Sequence, residues 1–267
     1  MSLNPTNIEW ATHTWNPIVG CTPASAGCAN CYAELLHNQR HKAFLDGKMS
    51  HECYSQSFSH LRFLPERLND ITPRQKPKRI FVCSMGDLFH EKIPHAQIAM
   101  VLRRMSECPQ HTFYILTKRG RNMNQLLMAG KMGLIDFPAL ADNIWAGTSA
   151  CGIDGKTADD CPFYNNPNLH TKNTFVSLEP LIAPVHPSGG TWGHSSLGQG
   201  LHHGKIKWIV AGGESGPNYR PDKIEWYESI LAQCRAAGVP VFFKKMAGSK
   251  PFPKHLQIRE YPEGMIK

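Results

Sequence analysis

Residues 206–216 read IKWIVAGGESG: an apolar run rich in branched and aromatic side chains, closed by two glycines, an acid and a serine. This is the pattern of a strand that gives way to a polar, glycine-bearing loop. It recurs in RIFVCSMGD (79–87), HTFYILTKR (111–119), NIWAGTS (143–149), NTFVSLEP (173–180) and VPVFFKKM (239–246). Between several of these runs the spacing turns helical, in HAQIAMVLRRMSEC (95–108) and PDKIEWYESILAQCRAAG (221–238). The second closes on Gly238, a residue suited to the C′ position of a helix. Strands alternating with helices predict a parallel sheet wrapped by helices.

A possible first strand in THTWNPIVG (12–20) raises the count to six or seven βα units. That number suits an α/β fold built as a partial (β/α)6–7 TIM-like barrel better than a small flat sheet. The reading is one domain over 1–267 with two long loop insertions, about 150–170 and 186–204, both rich in Gly, Ser, His and Asn and without apolar periodicity. In such barrels the loops after the strands form the active face. Asp87, Lys118, Arg119, Ser177, Glu179, Gly212, Gly213, Glu214 and Lys244 all fall there.

The 267 residues carry 29 Lys and Arg against 21 Asp and Glu, a formal charge of +8. Excess positive charge suits a polyanionic partner, and equally serves solubility. Basic groups at 74–79, 117–121 and 243–255 could follow a nucleic-acid backbone, with Phe252 or Tyr219 as stacking surfaces. No apolar run reaches membrane-spanning length, and the N-terminal residues lack the pattern of a secretory signal. The expectation is a cytoplasmic protein with no membrane partner.

Three of the nine cysteines fall within GCTPASAGCANCYAE (20–34), spaced C-x6-C-x2-C. In a reducing compartment such clustering points to metal or catalysis rather than to disulfides. Three thiolates would leave one iron of a [4Fe–4S] cluster open to a substrate or cofactor. Zinc uses the same ligands, with His13, His37, His41 or Cys53 as a fourth, and spacing alone does not choose between them. Cys83, Cys108 and Cys234 read as small core residues. Cys151 and Cys161, with Asp159, Asp160 and His170 nearby, read as loop thiols or as a second metal site, and His194, His202 and His203 as a solvated loop or a metal-binding tract. Glu179 and Glu214 read either as acids paired with a lysine or as site groups.

The three-cysteine loop after the first strand resembles the radical S-adenosylmethionine superfamily, although its usual spacing is C-x3-C-x2-C. The blocks IEWATHTWNPIVGCTPASAGCANCYAE, IFVCSMGDLFHE, PQHTFYILTKR, NIWAGTS, FVSLEPL, WIVAGGESGP and AGVPVFFKK together resemble a phage-associated three-cysteine-motif family grouped with that superfamily. The resemblance implies that Cys21, Cys28 and Cys31 ligate a [4Fe–4S] cluster that binds S-adenosyl-L-methionine. It places Asn30 and Tyr32 near the adenine, and Met85, Gly86 and Asp87 where backbone holds the methionine amino group. Lys118 would pair with the methionine carboxylate, Ser177 and Glu179 with the ribose, and Gly212, Gly213 and Glu214 with the adenine or cofactor backbone. Asp87, His90, Glu91, Arg119 and Lys244 would face the substrate.

The implied reaction generates a 5′-deoxyadenosyl radical after reduction by an external one-electron donor such as a flavodoxin or ferredoxin. The implied substrate is nucleic acid, foremost phage DNA in a host cytoplasm, through isomerisation of an amino-acid adduct on thymine. Two rivals stand beside it: radical repair of a DNA lesion, similar to the spore photoproduct lyases, and a zinc-stabilised nucleic-acid-binding or defence adaptor without radical chemistry.

Overall fold

The computed structural model describes residues 3–151, 171–185, 201, 204–263 and 265. Most of the two expected loop insertions, with Cys161, His194, His202 and His203, lies outside the described residues. The chain divides into two compact units, Met1–Ala24 with Cys31–Ile144, and Ser25–Asn30 with Trp145–Lys267.

In the first unit, β1 (Asn4–Pro5) pairs antiparallel with β2 (His13–Trp15). Parallel pairing continues from β2 to β5 (Arg79–Val82) and on to β6 (Thr112–Thr117). A small antiparallel ribbon joins β3 (Ile18–Val19) to β4 (Arg62–Phe63). The expected first strand is thus broken in two at Asn16-Pro17, because proline brings no N–H to a ladder. Trp10 lies between Phe81 and Tyr114, with ring centroids 5.0 and 5.2 Å away. The buried indole of Trp15 donates to the Arg67 carbonyl at 2.8 Å.

Helix α2 (His95–Ser106) forms where the periodicity predicts it, burying Ile98, Ala99, Val101, Leu102 and Met105 on one face. Arg103 and Arg104 in its last turn complement the helix dipole. Two helices went unseen in the sequence. Helix α1 (Tyr32–Leu45) buries only Ala33 and His37, and α3 (Gly120–Lys131) only Gly120 and Met123. In α1 the apolar residues follow no helical stripe, whereas α3 does gather them on one side and was overlooked.

In the second unit β7 (Ile144–Ser149, its first residue ending the first unit), β8 (Thr174–Leu178), β9 (Trp208–Ala211) and β10 (Val241–Phe243) pair in that order, all parallel. Every residue of these four strands is buried, as two-sided burial in an α/β sheet requires. Trp208 anchors the layer against Trp145, Phe175, Phe242 and Tyr261. Helix α4 (Ile224–Ala237) packs through Tyr227, Ile230 and Cys234 and ends at Gly238, whose φ of 66° is the left-handed cap the sequence foretells.

The architecture is α/β with mostly parallel strands, seven of them in parallel ladders. Each unit carries an open array, so the expected TIM-like barrel goes beyond what these strands display.

Candidate functional site

Two polar clusters form at the carboxyl ends of the parallel strands, one in each unit. The first grows from Asp87, five residues beyond β5. Its Oδ1 accepts from the Thr117 hydroxyl at 2.6 Å and the Phe89 N–H at 3.0 Å, and its Oδ2 from the Lys118 N–H at 3.1 Å and Arg119 Nη1 at 3.3 Å. Asp87 and Arg119 are both buried. A buried carboxylate survives only when its oxygens are matched in this way.

Arg119 spreads its guanidinium over four acceptor atoms on three residues besides Asp87. Nε donates to Glu91 Oε2 at 2.8 Å, Nη2 to the Thr22 carbonyl at 2.8 Å and its hydroxyl at 3.2 Å, and Nη1 to Cys21 Sγ at 3.5 Å. Burial works against the charge on Arg119, but Asp87, Cys21 and Glu91 together lift its pKa above the ordinary value. Glu91 is pushed up by partial burial and then held below the usual carboxylate range by its own backbone N–H and Arg119. The His90 ring, buried beside Arg119, has its pKa lowered by desolvation first and by that guanidinium second. Nδ1 of His90 accepts from the Lys92 N–H at 3.2 Å, which assigns the proton to Nε2 and makes it the donor to Thr22 Oγ1 at 2.8 Å.

The loop that carries Cys21 is pinned by backbone as well. Gly20 N–H donates to the Met85 carbonyl at 3.0 Å, and Cys21 N–H to the Phe58 carbonyl at 2.9 Å. Gly20 has a φ of 89°, and a Cβ there would stand 2.5 Å from the His60 carbonyl oxygen. A Cβ on Gly86 would meet the Gly20 carbonyl oxygen at 2.9 Å. Both glycines are demanded by this close approach of chain segments. Asn16 Oδ1 accepts from the Met85 N–H at 2.8 Å and the Ser84 hydroxyl at 3.1 Å, and the Tyr32 hydroxyl donates to the Ser84 carbonyl at 2.7 Å.

The second cluster surrounds two acids. Glu214 Oε2 accepts from Asn30 Nδ2 at 2.9 Å, the Arg220 N–H at 2.8 Å and Arg220 Nε at 3.1 Å, and Oε1 accepts from Arg220 Nη2 at 2.6 Å. Burial raises the Glu214 pKa, but the Arg220 and Asn30 hydrogen bonds outweigh it and hold the carboxyl below the usual range. Glu179 accepts from Ser177 Oγ at 3.1 Å and pairs with Lys244 Nζ at 2.9 Å. A Cβ on Gly212 would come within 2.7 Å of Glu179 Oε1, and one on Gly213 within 2.2 Å of the Ala247 N and 2.4 Å of Asp222 Oδ2. These glycines let the loop after β9 approach Glu179, Ala247 and Asp222 closely.

Asp87, His90 and Arg119 therefore come together with Glu91, and Asn30 comes together with Glu214. Glu179 meets Ser177 and Lys244. Lys118 enters through its backbone N–H. Sequence reasoning missed Asn16, Thr22, Thr117 and Arg220, which lie on loops or strand ends where no periodicity flags them. Phe252 is buried against Tyr227 and Phe243, so it offers no stacking surface; Tyr219 is 37 % exposed and lies under Lys250.

Cys21, Cys28 and Cys31 are half-buried thiols. Cys31 caps the N-terminus of α1 and Cys28 ends a short 3-10 turn (Ala26–Cys28). Cys83 and Cys234, by contrast, are fully buried thiols pushed up to about 12 by desolvation, as core residues would be. Two candidates for a fourth zinc ligand serve as packing links: His37 meets the Gln56 carbonyl at 2.9 Å, and His41 the Tyr54 carbonyl at 2.7 Å. Among the described residues no three His, Cys, Asp or Glu side chains are gathered as a metal-holding group.

A family model described as "Protein of unknown function (DUF5131)" matches residues 5–260, nearly the whole chain. The chain belongs to this family. The family's description carries no activity, substrate or cofactor. No curated protein and no solved structure matches this DUF5131 chain. No described helix is long and apolar enough to cross a membrane.

Proposed function

We propose that this DUF5131 protein is a radical S-adenosylmethionine enzyme acting on nucleic acid, with Cys21, Cys28 and Cys31 as ligands of a [4Fe–4S] cluster. The observation that carries the reading is the clamp on the cysteine loop: a buried arginine, itself neutralised by Asp87, holds the Thr22 carbonyl and touches Cys21 Sγ. The contact fixes the position of Cys21 Sγ, and the thiolate is the form that binds iron. The three thiols are part-exposed, which fits ligation, whereas Cys83 and Cys234 are held as neutral core thiols. The partial-barrel form of the fold belongs to the same proposal.

When bound, the cluster and S-adenosylmethionine would supply one-electron cleavage of the sulfonium and a carbon radical able to take hydrogen from an unactivated C–H bond. The chain's own residues hold and orient. Arg119 fixes the loop conformation, and Asp87 keeps that arginine in place. His90, neutral near pH 7, holds the Thr22 hydroxyl and leaves no extra positive charge beside Arg119. Asn30, Glu214, Ser177 and Glu179 are assigned to the nucleoside part of the cofactor, and Tyr32 and the 85–87 backbone to its methionine end and adenine. Lys244, half-buried against Glu179, is assigned to the substrate side. An external one-electron donor of the flavodoxin or ferredoxin type completes the scheme. DNA is the proposed substrate because of the excess positive charge, and isomerisation of an adduct on thymine is the proposed reaction.

Anaerobic reconstitution with iron and sulfide, metal analysis, and an assay for 5′-deoxyadenosine under reducing conditions tests this reading. About four irons per chain and 5′-deoxyadenosine that disappears in Cys31→Ala are expected. Colourless protein with stoichiometric zinc and no cleavage would overturn it.

A further inference from the structure

A pocket of about 540 Å³ opens in the first unit, and apart from Tyr32 and Met85 the proposed chemistry does not use its lining. Its floor is set by Asn16, Ser84 and Met85, at the carboxyl ends of β2 and β5, where the Asn16 side chain ties the two segments together. Its walls include Arg40, Arg67, His37, His51, Tyr32 and Tyr54. Among the described residues that line it there is no aspartate or glutamate.

Both arginines are held in place. Arg40 Nη1 donates to the Tyr54 hydroxyl at 2.5 Å, with its guanidinium carbon 5.3 Å from the centre of that ring. Arg67 Nη1 donates to the Asn16 carbonyl at 2.8 Å. Neither of these contacts is to a carboxylate, so each guanidinium keeps its charge uncompensated by the wall around it. Preorganised arginines in an acid-free pocket select an anion, and phosphate above all. At the rim Tyr32 is 52 % exposed while its hydroxyl is anchored to the Ser84 carbonyl, a fixed aromatic face of the kind on which bases stack.

We infer that this cavity is a binding site for a nucleoside phosphate, the phosphate on Arg40 and Arg67 and the base against Tyr32. The volume lies in the range of small-ligand sites and suits one nucleotide, not a duplex. The charge also argues against S-adenosylmethionine as occupant: with a sulfonium and an ammonium against one carboxylate it is a net cation. The inference deepens the nucleic-acid part of the proposal above. It is measured apart from the radical chemistry.

The test is calorimetric titration of the full chain, without reductant or added iron, with thymidine 5′-monophosphate, thymidine, inorganic phosphate and S-adenosylmethionine. The monophosphate should bind at least about tenfold tighter than thymidine or phosphate alone, each of which lacks half of the recognition. Arg40→Gln should weaken it about tenfold or more, with thermal unfolding as the check on folding. Met49→Trp, which adds bulk at a wall position that neither arginine contacts in the hydrogen bonds above, should weaken it independently. Competition with a single-stranded thymine oligonucleotide separates the sources: displacement at lower concentration identifies a nucleotide within a strand, and no displacement identifies a free nucleotide. Equal binding of monophosphate, thymidine and phosphate, or no binding by folded protein, would overturn the inference. Formation of 5′-deoxyadenosine by protein that binds no nucleotide would sink the pocket and leave the enzyme reading standing.

Discussion

Arg119 and Asp87 form a buried ion pair beside the cysteine loop. Their side chains are 5 % and 7 % exposed, so removing one strands the other's charge away from water. Breaking a buried pair this way costs about 3–5 kcal/mol. Arg119→Met is therefore expected to lower the free energy of urea unfolding by about that amount, and a loss below about 1 kcal/mol would show that water relieves the site. Arg119→Lys should rescue only in part, because one ammonium cannot fork to Asp87, Glu91 and Thr22 together. Glu214 makes a pH-dependent counterpart. Its folded pKa is depressed, so its contribution is fully present above the unfolded value near ~4.3 and is lost as pH falls through the lower folded value. Because Glu91 and Glu260 shift the same way, the wild type must be compared with Glu214→Gln. The stability gap between the two should be constant from about pH 7 to 5 and shrink below about pH 4; a gap unchanged at about pH 3 would refute the assignment.

At the scale of elements, two glycines of left-handed φ separate conformational cost from steric cost. Gly238 caps α4 at φ 66° with nothing within 4 Å of a would-be Cβ, so Gly238→Ala should cost only about 1 kcal/mol. Gly20 combines φ 89° with a backbone oxygen 2.5 Å from the Cβ position. Gly20→Ala should cost about 2 kcal/mol or more, since strain and overlap add, and thermal unfolding of both variants compares them directly. Equal losses would mean that the cysteine loop yields. The same contrast explains what the sequence disclosed. Gly238 was legible because it ends an apolar stripe of α4, and the strands were legible because two-sided burial writes continuous apolar runs such as FVSL and WIVA. Helix α1 was hidden because its apolar residues follow no helical stripe, whereas α3 is amphipathic and was overlooked. Asp87, Glu179 and Glu214 could be picked out at strand ends, but Thr22 and Arg220, which hold the neighbouring groups, sit on loops whose path is set by tertiary contacts.

For the whole molecule the decisive quantity is where the positive charge goes. The buried or half-buried acids Asp87, Glu179 and Glu214 consume Arg119, Lys244 and Arg220 in internal pairs. Those pairs cancel, so the excess of +8 remains on other side chains, among them the exposed Arg74, Lys76, Arg121, Lys207, Lys223, Lys245 and Lys254. Charge of this kind binds phosphates by releasing counterions, and it carries no sequence preference. Single-stranded DNA should therefore bind at about 50 mM salt and weaken steeply toward 200 mM, with a logarithmic slope of about −0.7 for each phosphate neutralised. Lys245→Glu combined with Lys254→Glu should flatten that slope by about one to two phosphates without moving the unfolding temperature by more than about 2 °C, because both side chains are exposed. Fluorescence anisotropy across a salt series measures it. A slope near zero would assign the positive charge to solubility alone and remove the physical ground for choosing nucleic acid over a small neutral substrate. A steep slope that the double variant leaves unchanged would move the contact away from the 243–255 segment, leaving the 74–79 and 117–121 groups as its site.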